Sequence, residues 1–342
     1  MTQRGRSAVL TVTPPPSESL TAQRIKRPVP RGDESSDSLF RITGMNLIAA
    51  RSRHWRLSLA LIVAVGGAGS CRSPQTQWTE DDGGLTRWID VPLGRLKTRI
   101  YTGPAGSESP VLVLVLHGDL PEPPPSYQYE FAKVIADTVE NVVATGVLRP
   151  GYRDPTGARS SGDVGAAVAD NYTPAVVDAL ASVARELAKD YRARETILVG
   201  HSGGAAIAAN LLGRHPEVAQ GAVLVGCGCD PRAWRATRLA ETGNPIFRGP
   251  TDSLLPLDLA PAVAPDTIVR MVVGQDDDLV PPQHSRAYAT ALGERGVDVS
   301  VEVLPGLGHN ILFAPQVMDA LREVLTALSR TLPSDTNGAS RP

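Results

Sequence analysis

Gly200-His201-Ser202-Gly203-Gly204 carries the spacing G-x-S-x-G. It directly follows the apolar run Thr196 to Val199 and directly precedes a small-residue stretch that reads as a helix. In strand-turn-helix context, glycines two residues either side of a serine let the chain turn sharply and lift the hydroxyl above a sheet. With 32 glycines in the chain the bare pattern arises easily by chance, so its position between strand and helix is what gives it weight. A serine hydroxyl is a weak nucleophile at neutral pH and requires a base, and the base requires a group that orients it. Both types follow in the order Ser, acid, His. The segment Gly274-Gln275-Asp276-Asp277-Asp278-Leu279-Val280-Pro281 begins where the apolar run 268–273 ends, and Gly308-His309 follows an alternating run and the turn Pro305-Gly306-Leu307. Asp276, Asp277 and Asp278 are all candidate acids on position alone. His309 is the better base than His284, which sits at the start of a helix after Pro281-Pro282.

Three separate strand ends must therefore bring these groups together. Val111–Leu116 (VLVLVL), 196–199, Ala222–Val225 and Ile268–Val273 are apolar runs too short for helices. Strands buried on both faces of a parallel sheet read this way. Val297, Val299, Val301 and Val303 alternate with polar residues, the mark of a strand with one wetter face. Thr173-Pro174 is a cap and first helical residue, followed by one apolar stripe through Val176, Val177, Leu180, Val183 and Leu187. Residues 203–213 and 314–329 also read as helical. Strands alternating with helices specify an α/β sheet covered on both faces, and sites in such sheets lie at the carboxyl ends of the strands.

With His117-Gly118 after the run 111–116, the elbow at 200–204, the Gly-x-x-Asp-x-x-Val-Pro pattern at 274–281 and Gly308-His309, the chain resembles the alpha/beta-hydrolase superfamily over roughly residues 87–330. That resemblance implies an alpha/beta-hydrolase fold, a mostly parallel sheet with helices on both faces. It also implies Ser202 as nucleophile, Asp277 as orienting carboxylate and His309 as base and then acid. The oxyanion donors it implies are the backbone N–H groups of Gly203 and Asp119. Asp119 departs from the hydrophobic residue often found there, and its carboxylate must turn away from a developing oxyanion.

His201 reads as lining the elbow and contacting substrate or neighbouring loops, while Tyr127 and Tyr129, in the long stiff Pro-rich loop Glu122 to Tyr129, read as pocket-lining residues with ordinary packing as the alternative. His117 reads as a hydrogen-bonding group that shapes the oxyanion loop, and Arg149 in Arg149-Pro150-Gly151-Tyr152 as a loop-shaping residue at another strand end. Cys227 and Cys229 fit either a disulfide closing a very small loop or two buried thiols. The 35 residues Asp230 to Ala264 leave room for one or two short helices, so a small lid or none, and an open or shallow site, are expected. The lone C-x-C supplies too few ligands for zinc, and there is no phosphate-binding glycine motif; no metal or other cofactor is expected.

At the amino end, residues 1–44 are rich in Pro, Ser, Thr and Arg without apolar periodicity and read as a disordered extension. Residues 45–71 read as a signal: Arg51, Arg53 and Arg56, then the uncharged stretch Leu57 to Ser70, then Cys71. That stretch is shorter than the ~20 residues of a membrane span. Ala68-Gly69-Ser70-Cys71 resembles the lipobox of bacterial lipoproteins, which implies lipidation of Cys71. Ala68 stands where that pattern has Leu, so secretion without lipidation is the alternative, and Met45 offers a second start that would put the signal at the terminus. Residues 72–86 read as a linker, 87–332 as the hydrolase domain and 333–342 as a disordered tail. The expected location is the cell envelope, on the periplasmic face of a membrane, anchored through Cys71.

Residues 1–70 hold ten of the 34 basic residues but four of the 36 acidic ones, so the rest of the chain is net acidic. Such a body lacks the electrostatic footprint of a nucleic-acid binder. A small-molecule acyl substrate is the expected partner. The leading expectation is a serine hydrolase that cleaves an ester, thioester or amide through an acyl-enzyme. A peptidase or acyltransferase on the same triad, and a noncatalytic envelope lipoprotein, are the rivals.

Overall fold

In the computed structural model the described residues are 81–104, 109–119 and 122–331. The signal and Cys71, the extension before them and the tail after 331 lie outside them. In chain order the elements are β1 (Leu85–Val91), β2 (Gly94–Thr102), β3 (Val111–Leu116), α1 (Tyr127–Thr138), β4 (Val142–Val147), α2 (Pro174–Asp190), β5 (Glu195–His201) and α3 (Gly203–Arg214). They continue with β6 (Gly221–Val225), α4 (Pro231–Thr242), α5 (Pro256–Leu259), β7 (Ile268–Gly274), α6 (Gln283–Gly293), β8 (Asp298–Leu304) and α7 (Pro315–Thr331).

The strands form one open sheet in the order β1-β2-β4-β3-β5-β6-β7-β8. The pairs β1/β2 and β2/β4 are antiparallel, and every pairing from β4 through β8 is parallel. The chain thus has the alpha/beta-hydrolase fold. The apolar run of β3 is buried on both faces because its side chains alternate between two cores. Leu112, Leu114 and Leu116 join Val177, Leu180, Ile207, Leu211, Tyr288 and Leu292 from α2, α3 and α6. Val111, Val113 and Val115 join Phe131, Ile135, Val317, Leu321 and Val324 from α1 and α7. Helices therefore cover both faces, and the continuous hydrophobicity of β3, β5, β6 and β7 follows from that double burial. β8 lies at the sheet edge, pairs only with β7, and alternates exposed with half-buried residues.

Two expected boundaries are corrected. Leu85 and Thr86, assigned to the linker, belong to β1 and pair with Ile100 and Arg99, and upstream of them Asp82 accepts a 2.6 Å bond from the Tyr101 hydroxyl. Strand pairing with β2 is what draws this polar stretch into the body. The stiff loop 122–129 ends sooner than expected, because Ser126 is the N-cap of α1 and Tyr127 its first residue. The insertion after β6 holds α4, α5 and two single 3-10 turns, a small lid without a separate cap domain. No helix among the described residues is long and apolar enough to cross a membrane.

Candidate active site

The elbow is built by close approach. A Cβ on Gly200 would stand 2.5 Å from Ala205 Cα, and one on Gly204 would collide with the Leu116 carbonyl; glycine at both positions lets α3 press against β5 and β3. Ser202, between them, sits at φ 56°, ψ −121°. A non-glycine residue held there is strained by about 1–3 kcal/mol. The strain is held by the bond from Ser202 N–H to the Val225 carbonyl (2.8 Å) and by Ala205 N–H bonding back to the Ser202 carbonyl (2.9 Å). The Ser202 hydroxyl makes no capping bond to its own helix, so it remains available above the sheet.

At the carboxyl end of β7 the three aspartates separate by burial. Asp276 and Asp278 are exposed, while Asp277 is 3% exposed. One carboxylate oxygen of Asp277 accepts the Leu279 and Val280 N–H groups at 3.1 and 2.7 Å. The other lies 2.7 Å from His309 Nδ1. A carboxylate can only accept, so Nδ1 carries the proton and Nε2 presents its lone pair. His309 reaches this position from the turn after β8, where its carbonyl accepts from Ile311 N–H at 3.0 Å.

His201 is buried and joins these pieces. Its Nε2 lies 3.1 Å from the His309 carbonyl and its Nδ1 3.1 Å from the Tyr127 hydroxyl. Burial first, and the neighbouring His309 second, push its pKa down to about 4. His201 is thus neutral, with its proton on Nε2 facing the carbonyl.

The loop after β3 is fixed from below. His117 is fully buried; its Nδ1 faces the Gly118 carbonyl at 2.8 Å and its Nε2 accepts the Arg149 N–H at 3.1 Å. Burial, then the Arg149 charge, hold its pKa well below the usual range, so it is a neutral structural group as expected. Gly118 N–H donates to the Tyr127 oxygen at 2.5 Å and is thereby occupied. The N–H groups of Asp119 and Gly203 have no protein acceptor among the described residues.

The Asp119 carboxylate is held in place. Arg149 pairs with one oxygen at 2.9 Å, while the Tyr172 hydroxyl (2.6 Å) and Ala169 N–H (3.1 Å) donate to the other. Arg149 is 1% exposed, so the pair is shielded from water. A methyl on Gly203 would overlap this carboxylate, which sets Asp119 directly beside the elbow. The departure at Asp119 is thus met by charge neutralisation rather than by distance from the site.

Ser202, Gly203 and Asp119 line a shallow cleft together with Val168, Ala169, Tyr172, Gly228, Pro231, Trp234 and Val280. Helix α4 lies in the insertion expected to hold a small lid, whereas the segment 168–172 carries no sequence signal of this role, because a lining side chain in an irregular loop follows no periodicity. The three residues expected to bind substrate, His201, Tyr127 and Tyr129, have protein partners instead of a place in the cleft lining. Tyr129 points into the core, where its hydroxyl donates to Asp154 (3.3 Å), itself paired with Lys97 at 2.8 Å. Tyr127, half-buried, and His201, buried, do not line the cleft; the Tyr127 oxygen accepts from Gly118 N–H and His201 Nε2 faces the His309 carbonyl. Tyr127 and Tyr129 differ because successive residues at the start of α1 face loop and core in turn, whereas His201 ends β5 beside the elbow. Cys227 and Cys229 are joined as a disulfide in the loop between β6 and α4, and no cluster of potential metal ligands occurs among the described residues.

Residues 154–250 match the family model described as serine aminopeptidase, S33; the match includes Ser202 and stops short of Asp277 and His309. No curated protein matches the chain. Among solved structures, the chain is similar to a puromycin-hydrolysing peptidase of Mycobacterium tuberculosis, at 18% identity and TM-score 0.56 over 73% of this chain and 39% of that one. It is similar to an acylaminoacyl peptidase of Pyrococcus horikoshii at 15% identity and TM-score 0.55, over 72% of this chain and 41% of that one. The chain thus spans about two-fifths of the length of these two. Est1E of Butyrivibrio proteoclasticus, solved with ferulic acid, is similar at 13% identity and TM-score 0.53, over 71% of this chain and 99% of that one. Sheet order and these structural likenesses show the alpha/beta-hydrolase fold, and within it residues 154–250, which carry the elbow serine Ser202, are similar to a serine-hydrolase family model.

Proposed function

We propose that the chain hydrolyses an ester of a small, uncharged acyl group through an acyl-enzyme on Ser202. The observation that carries this reading is the 2.7 Å bond between Asp277 and His309 Nδ1, which leaves Nε2 as a base at the strand end beside the elbow. As Ser202 Oγ bonds to the substrate carbonyl carbon, His309 Nε2 takes its proton. The carbonyl π pair moves to the oxygen, which the Gly203 and Asp119 N–H groups stabilise. The pair then returns, the bond to the leaving oxygen breaks, and His309 gives that oxygen the proton. Water repeats the sequence on the acyl-serine and restores both groups.

The acyl preference rests on the cleft. Its one carboxylate, Asp119, already accepts from Arg149, Tyr172 and Ala169, so it has little capacity left for the free ammonium of an aminopeptidase substrate. Trp234, Val168, Pro231 and Val280 supply apolar walls. The aminopeptidase reading is the second one, favoured by the S33 match. The experiment that decides is a panel of p-nitrophenyl esters of increasing chain length beside aminoacyl p-nitroanilides, with fluorophosphonate labelling to report the nucleophile. Faster turnover of aminoacyl anilides than of acetyl and butyryl esters would overturn the ester reading. Ser202→Ala should abolish labelling and lower turnover by roughly a millionfold with unchanged thermal unfolding.

The same proposal includes a membrane tether at Cys71, on the basic, apolar and small-residue order of residues 51–71. Cys71→Ser expressed in a bacterium should leave the membrane fraction or remain unprocessed. A variant that stays in the membrane at its processed size would remove the tether without touching the hydrolase reading.

A further inference from the structure

The Tyr127 hydroxyl and the His201 imidazole form one hydrogen-bonded chain between the two halves of the reaction centre. At one end, Gly118 N–H donates to the Tyr127 oxygen at 2.5 Å. The next residue, Asp119, supplies an oxyanion donor under the reading above. In the middle, Tyr127 and His201 Nδ1 are 3.1 Å apart; at the far end, His201 Nε2 lies 3.1 Å from the carbonyl of His309. A backbone carbonyl only accepts, so Nε2–H donates to it and Nδ1 must accept the Tyr127 proton. Every link then has one direction, from Gly118 through Tyr127 to His201, with His201 donating to His309. The phenol keeps its proton, since burial pushes its pKa up to about 12, and the neutral imidazole keeps its acceptor.

Neither side chain lines the cleft. Both are instead bonded to backbone whose position decides where a reacting group stands: the loop carrying the Asp119 N–H, and the residue carrying the base. The rings reinforce this spacing, with Tyr127 edge-on to His201 at 5.6 Å and His201 5.1 Å from His309. We infer that Tyr127 and His201 are positioning residues that set the distance between the oxyanion donor loop and the His309 base. The inference rests on the triad reading of Ser202, Asp277 and His309.

Tyr127→Phe keeps the ring and removes the hydroxyl, freeing Gly118 N–H and His201 Nδ1 at once. Displacement of a reacting group by about 1 Å can cost about a hundredfold. The expected result is kcat on p-nitrophenyl acetate lower by about 10- to 100-fold with KM little changed, and an equal fall in the rate of fluorophosphonate inactivation. His201→Leu should lose as much, whereas His201→Gln, which can keep a donor toward the His309 carbonyl, should recover part of it. The double variant Tyr127→Phe/His201→Leu should be no worse than the poorer single one, because one chain is broken either way. A Tyr127→Phe enzyme within twofold of wild type, or two losses that multiply, would overturn the inference. Should Tyr127→Phe unfold, the order of His201→Gln above His201→Leu in kcat decides, and equal activities of those two folded variants would overturn it. Ser202→Ala separates the two levels: if it stays active the triad reading falls, and if it is inactive while Tyr127→Phe is fully active only the bridge falls.

Discussion

At the residue scale, three consecutive aspartates differ in one respect that matters for chemistry, the number of bonds their carboxylates already make. Asp277 accepts two backbone N–H groups and faces His309, while its neighbours are exposed. Asp277→Asn should therefore cost about ten-thousandfold in kcat, the size of the effect when a triad carboxylate becomes an amide and the imidazole tautomer is lost. Asp276→Asn and Asp278→Asn should stay within a few fold of wild type. Steady-state kinetics of the three variants with a p-nitrophenyl ester checks this, and a severe loss in Asp278→Asn would mean that the register is off by one. The placement of Ser202, Asp277 and His309 at strand ends was legible because β5 and β7 announce themselves by apolar run length and β8 by alternation. Which aspartate faces the histidine was not legible from spacing alone. Burial within a turn depends on where the N–H groups of Leu279 and Val280 point, and residue type does not encode that.

The elements that hold the site fall into two groups by how visibly their residues alternate. Strands β3, β5, β6 and β7 and helices α2, α3 and α7 were readable within a residue or two, since double burial gives continuous apolar runs and single burial gives a stripe. The segment 164–173 offered no such pattern, and its role comes from a tertiary contact. Arg149 at the end of β4 pairs with Asp119 after β3, and Asp119 in turn takes Tyr172 and Ala169. Strand β4 therefore fixes the loop after β3, and through it one wall of the cleft. Replacing Arg149 by Met removes one partner of a buried pair and leaves the Asp119 carboxylate uncompensated beside the oxyanion. Such a break costs about 3–5 kcal/mol. Chemical denaturation should show a loss of that size. Activity of the fraction still folded should drop as well, because a free negative charge opposes the developing oxyanion. Double replacement Arg149→Met/Asp119→Leu should recover much of the stability. Equal stability of wild type and Arg149→Met would sink this account of the clamp.

On the scale of the whole molecule, two histidines buried beneath the site, His117 and His201, tie its catalytic geometry to the acid limit of the fold. Both imidazoles are held neutral mainly by burial, with Arg149 opposing charge on the first and His309 on the second. Asp277 and the Tyr127 hydroxyl also face His201, and neither offsets its desolvation. In the unfolded chain a histidine takes up its proton near pH 6.5, whereas folded His201 does so only near pH 4. Between these values the unfolded state binds more protons, so stability rises with pH across the window. Read in the other direction, stability is complete above pH 6.5 and is lost as pH falls toward 4. At pH 5 the contribution of His201 to that loss is about 2 kcal/mol. His201→Gln removes the group and leaves His117 and all carboxylates in place, so the variant isolates it. Urea unfolding of wild type and His201→Gln at pH 7.5 and pH 5 should show the gap between them shifting by about 2 kcal/mol in favour of the variant at pH 5. A gap that does not change with pH would mean that His201 takes up a proton as readily in the folded protein as in the unfolded chain, and the neutral Tyr127–His201 link would then have no electrostatic basis.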